Sequence, residues 1–170
     1  MTTISLIREQ LNFSFNLVTR AMSKIDDTIL HWEPAPNSWG LRLRNDQWTL
    51  DSSSKPNPIP PGPKTIAWLA AHIATNKEMY YEYAFGPGKK RSEQLIIPGD
   101  VRGLRKYLKK TQNDLVQKLT ELTDNDLQKQ MSTFWGEAKP LWWIYWIMVY
   151  HYTEHGGQIM QIKNEYKNRH

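Results

Sequence analysis

The residues best suited to chemistry lie near the C-terminus, in His151-Tyr152-Thr153-Glu154-His155-Gly156-Gly157-Gln158-Ile159. On a helix, His151 and His155 stand one turn apart on one face, so two imidazoles can reach one metal ion. Neutral imidazole is a common ligand, but the spacing is also common between helical histidines that bind nothing. The stretch reads as H-x-x-E-H too, an inverted zinc-peptidase signature. That class takes its third ligand from a distant downstream glutamate. Here only Glu165 follows, on the same helix and about 15 Å away, so the peptidase reading fails. Glu154 stays a candidate catalytic base, or a partner that orients a ligand.

The chain of 170 residues is long enough for one domain with a real core, and we read residues 1–170 as a single domain. It has no cysteine, which excludes disulfides, thiolate ligands and a protein thiol nucleophile. The net charge of +5 is spread over Lys89-Lys90-Arg91, Arg102 to Lys110 and Lys163 to Arg169. No recognition motif accompanies these clusters, so they read as solvated faces and no nucleic-acid partner is expected. Met1 to Arg20 is amphipathic and lacks the unbroken apolar core of a signal peptide. The longest apolar run, Leu141 to Tyr150, is too short to span a bilayer. The expectation is a cytoplasmic protein with no membrane partner.

Four helices must position the histidines. Ile4, Ile7, Leu11, Phe15, Val18, Met22, Ile25 and Ile29 alternate steps of three and four, which predicts one long first helix ending near His31. Residues 32–63 are rich in proline, with Pro34, Pro36, Pro56, Pro58, Pro60, Pro61 and Pro63, and form a long loop. Trp32, Trp39 and Trp48 within it imply that it packs on the domain as a cover. A second helix runs from the N-cap Thr65 to Phe85 and puts Thr65, Leu69, His72, Asn76, Met79 and Tyr83 on one face. Asp100 caps a third, with Val101, Leu104, Leu108, Leu115, Leu119 and Leu122 inward. Pro140 opens the fourth.

Narrow inward stripes on four helices predict an all-α four-helix bundle. The link from Gly86 to Gly99, extended, reaches about 45 Å, more than the roughly 30 Å length of the second helix. It can therefore cross back and leave the second and third helices parallel, although an ordinary up-down-up-down order is also open. In the crossover case His72 lies about 10 Å from the start of its helix and His155 about 15 Å from the end of the antiparallel fourth. His72, His151 and His155 then converge, and three imidazoles plus one open position make a known kind of catalytic metal site. Such a set suits Zn, Ni, Co, Mn or Fe to differing degrees.

Trp32-Glu33-Pro34 with Trp39, Thr65-Ile66-Ala67-Trp68-Leu69-Ala70-Ala71-His72-Ile73 and His151-x3-His155-Gly156-Gly157-Gln158-Ile159 together resemble the DinB-like (DinB/YfiT-like) metalloenzyme family. The resemblance spans the chain from the first helix to the last. It implies a four-helix bundle of up-down-down-up topology and carries the metal ligands over to His72, His151 and His155. The long Pro-rich loop departs from the family pattern and bears on pocket shape. Members with assigned activity are often S-transferases of low-molecular-weight thiols or thiol-dependent isomerases. The expected function is thus a metal-dependent enzyme, a thiol S-transferase, holding a divalent ion, zinc or nickel foremost, with a thiol cosubstrate and a small-molecule substrate. The alternatives are a metal-dependent hydrolase using Glu154, or a non-catalytic metal-binding stress-response protein. Tyr80, Tyr83 and Tyr152 are candidate pocket residues.

The last helix carries a second face without charge: Trp142, Trp146, Val149, Thr153, Gly156 and Met160, with Gly157 at its edge. The first helix adds Leu6, Phe13 and Leu17 away from its core stripe. Exposed apolar faces of this kind predict a homodimer built on the fourth helix, the alternative being that the Pro-rich loop with its own tryptophans covers this face within one chain.

Overall fold

The computed structural model describes residues 2–52 and 62–169. The expected Pro56, Pro58, Pro60 and Pro61 of the long loop lie outside the described residues. Helices α1 (Thr3–Ala21), α2 (Asp27–His31), α3 (Ile66–Phe85), α4 (Val101–Thr120) and α5 (Leu141–Arg169) alternate with strands β1 (Leu41–Arg44), β2 (Gln47–Leu50), β3 (Gln130–Ser132) and β4 (Ala138–Pro140). The molecule is mostly helical, but the all-α expectation is corrected by two small antiparallel sheets, β1-β2 and β3-β4. No helix among the described residues is long and apolar enough to cross a membrane.

The caps follow the sequence. Thr65 Oγ1 accepts from Trp68 N at 3.1 Å and starts α3, and Asp100 Oδ1 accepts from Gly103 N at 2.8 Å and starts α4. The first helix, by contrast, is not continuous to His31. It ends at Ala21 with Met22 as its C-cap, Lys24 takes a positive φ of 54°, and Asp26 caps the separate α2 by accepting from Ile29 N at 2.9 Å. The apolar stripe hides this break because Ile25 and Ile29 stay buried on both sides of it. Long cations satisfy the carbonyls freed at the break: Lys163 Nζ donates to Ala21 O at 2.9 Å and Ser23 O at 3.1 Å, and Arg105 donates to Met22 O.

The four long helices form a ring of neighbours: α1 packs on α5 and α4, and α3 packs on α4 and α5. Phe15 meets Tyr152 and Lys163 meets Ala21, so positions rise together along α1 and α5. Lys77 reaches Leu108 and Lys118 lies over Phe85, so they also rise together along α3 and α4. On α3 and α5 they run in opposite senses, with Tyr80 against Trp143 and His72 against His155. The core between them is mostly apolar, aliphatic and aromatic together, yet it encloses a fully buried lysine. Lys77 is 0% exposed, donates to Leu108 O at 2.8 Å, and sits 4.7 and 5.1 Å from the ring centres of Phe15 and Tyr152. Burial pushes its amine well below the usual lysine range.

The described part of the loop after α2 is built onto this bundle. Asn45 and Asp46 both have positive φ, the requirement of a tight two-residue turn, and pair β1 with β2 so that Leu43 opposes Trp48. Trp39 N donates to Pro63 O at 2.9 Å and Thr65 N to Trp39 O at 2.8 Å, tying the loop to the start of α3. Trp39 also packs on Trp68.

Candidate metal centre

Helix α3 can carry His72 deep into the molecule because its neighbours are small. Ala67, Ala70, Ala71 and Ala74 are all fully buried, which lets adjacent helices approach closely. His72 is then clamped by Trp68, whose ring stacks on it at 4.6 Å and 14°. On α5, Ile144, Met148, Ile159 and Ile162 anchor the core face and so aim His151 and His155 inward.

The structure brings the three histidines together. The ring centres of His72 and His151 are 5.4 Å apart, those of His72 and His155 5.1 Å, and those of His151 and His155 5.4 Å. One nitrogen from each ring lies within 4.8 Å of the other two, close enough for one ion to be shared. Burial lowers the pKa of all three, and repulsion from the neighbouring rings adds to it at His72 and His151. His72 is held well below 6.5 by burial and then by the charges of His155 and His151; His151 is lowered to about 4. His155 is lowered by burial against an opposing pull from Gln158. Near neutral pH each ring is therefore uncharged and has a lone pair to offer.

Two details bear on whether these residues fit a metal. His155 Nδ1 lies 2.9 Å from Gln158 Oε1. A carbonyl oxygen can only accept, so Nδ1 carries the proton and Nε2 is left with the lone pair. His151 Nδ1 is buried without a hydrogen-bond partner. A buried polar atom left alone carries a desolvation cost, and coordination would remove it. The donor set fits a divalent cation.

Glu154 does not belong to the cluster of ligand atoms. It accepts a hydrogen bond from the Tyr150 hydroxyl, and its charge is felt by both His151 and His155. The model of the DinB superfamily matches residues 10–159, a span that includes all three histidines. The chain belongs to the DinB superfamily. No curated protein matches it.

In this DinB-superfamily chain a cavity of about 1000 Å³ opens beside His72. Asn76, Met79 and Tyr83 continue its α3 wall, as their shared helical face predicts, and Asn76 Nδ2 lies 2.9 Å from His72 Nε2. Of the candidate tyrosines only Tyr83 lines this cavity. Tyr80 is buried against Phe134 and Trp135, and the Tyr152 hydroxyl turns to Gln112 inside the core. The opposite wall includes Trp48 of β2, which the sequence reading left as generic cover. The signal for it was present: Leu41-Arg42-Leu43-Arg44 and Gln47-Trp48-Thr49-Leu50 flank a two-residue turn. The role of Gln158 was equally missed, because it depends on the side-chain reach from one helical turn to the next.

Proposed function

We propose that this chain is a metal-dependent enzyme in which His72, His151 and His155 hold one divalent ion, zinc or nickel before cobalt, manganese or iron. The reaction we infer is transfer of a low-molecular-weight thiol to an electrophilic small molecule. The observation that carries the reading is the approach of three uncharged imidazoles around one point, with the buried His151 Nδ1 left without a partner. When bound there, such an ion would supply Lewis acidity to a ligand in its open position and favour thiolate over thiol. With no cysteine in the chain, the thiol must be a cosubstrate. Gln158 fixes the tautomer of His155, and Trp68 fixes the plane of His72.

The frame of the proposal is a single domain over residues 1–170, an up-down-down-up bundle, that pairs into a homodimer through α5. The senses in which α1, α3, α4 and α5 pair support that topology. A metal-dependent hydrolase is the second reading, with Glu154 as base, and it draws on the nearness of that carboxylate to His151 and His155. The test is turnover of a panel of thiols and electrophiles by metal-loaded protein. Conversion should stop on chelation and in His72→Ala. Conversion that chelation leaves unchanged overturns the proposal, and metal uptake with no turnover of any pair leaves a metal-binding protein without this activity.

A further inference from the structure

The cavity beside His72 is walled by groups whose charges are already matched. Arg44 pairs with Asp51, and Lys90 Nζ lies 2.7 Å from Glu78 Oε1. Arg91 and Glu93 bring one charge of each sign to the rim. Between them neutral polar side chains, Thr49, Thr75 and Asn76 among them, interleave with an apolar and aromatic set formed by Trp48, Leu50, Met79, Ile97 and Phe134. A charged ligand would have to break these pairs or shed water without a counter-charge, both unfavourable. An apolar ligand gains by covering the wall.

Trp48 is fixed as part of that wall. It stacks on His31 at 5.4 Å and 29°, and His31 Nε2 in turn donates to Gly99 O at 2.7 Å. A Cβ on Gly99 would fall 1.9 Å from Trp48 Cε2, so only glycine leaves room for the indole. The hairpin β1-β2, α2 and the link before α4 are thus locked around one ring.

We propose that this cavity is the substrate subsite of the histidine centre and takes an uncharged, largely apolar molecule, aryl or alkyl, seated against Trp48 with its polar end toward His72. The assignment to a substrate rests on the reading of the histidines given above; the selectivity of the cavity is measured apart from it. The probes are N-phenyl-1-naphthylamine, which is neutral, and 8-anilino-1-naphthalenesulfonate, which adds an anion to the same ring system. Fluorescence titration uses the full chain, chelator-treated and cobalt-loaded. The neutral probe should bind at least tenfold more tightly than the sulfonate in both forms. Gly99→Ala should weaken it at least tenfold by displacing Trp48. Ile97→Trp, on a half-buried loop position and so independent of any folding defect in the glycine variant, should do the same by filling the space. In the cobalt form the neutral probe should also shift the visible absorption of the ion. Equal or tighter binding of the sulfonate overturns the proposal, as does neutral-probe binding that both variants leave unchanged. Failure to take up cobalt strikes at the metal reading alone, because the chelator-treated titration still decides the selectivity.

Discussion

Gln158 decides which nitrogen His155 can offer, since its carbonyl holds the Nδ1 proton. Gln158→Leu should therefore lower metal affinity about 10–100-fold while the ligand set stays complete. Competition with a chelating dye measures this, and an unchanged affinity would remove Gln158 from the site. The same rings set a pH dependence. Burial lowers His72, His151 and His155 below the 6.5 of an ordinary histidine, His151 to about 4. The unfolded chain then binds more protons than the folded one between those limits. The histidines' contribution to the stability of the metal-free protein is full above about pH 6.5 and declines as the pH falls toward 4. His151→Gln should shallow that decline, read as Tm at pH 7.5 and 5. At this scale the histidines were legible because i,i+4 spacing and helical phase are properties of the sequence. Gln158, Asn76 and Trp48 were present in plain sight, but what they touch depends on rotamers and on chain segments far away.

Two adjacent glycines in α5 face different surroundings. Gly156 is buried, and a Cβ there would meet Val18 of α1 at 3.5 Å, ordinary contact. The expectation that Gly156 lies on an outer association face is thus corrected: its smallness serves the close packing of α1 on α5. At Gly157 a Cβ would meet nothing within 4 Å. Gly157→Ala should raise stability by up to about 1 kcal/mol through helix propensity, whereas Gly156→Leu should cost about 1–3 kcal/mol by overpacking. Thermal denaturation distinguishes the two, and equal shifts would refute the difference in environment. The long helices were readable, α4 from its apolar period, α3 from its N-cap Thr65 and α5 from Pro140 and the lack of breakers after it. The α1–α2 break escaped because Lys24 and Asp26 interrupt the backbone without interrupting the apolar pattern. The strands escaped because runs of three or four residues are too short to establish alternation, and β1 and β2 also lie in a proline-rich stretch.

Over the whole molecule, α5 and α1 leave an apolar surface in water. Phe13 is 71% exposed, Trp146 52% and Trp142 40%, with Leu6 and Met160 beside them in exposure. Of the described loop tryptophans, Trp39 packs on Trp68, Trp48 stacks on His31, and Trp32 meets Tyr166 near the C-terminal end of α5. Light scattering at micromolar concentration should give the mass of a dimer, and Trp146→Glu that of a monomer. A wild-type monomer removes the dimer from the proposal. Lys77 makes the interior of this molecule chemically datable. Its amine has no exposed surface and lies between α3, α4 and the rings of Phe15 and Tyr152. A dissolved acylating reagent can meet it only when those helices part. Surface lysines acylate at the rate set by the reagent, while Lys77 acylates at the rate set by the opening of the core, and so keeps a record of how often the bundle comes apart.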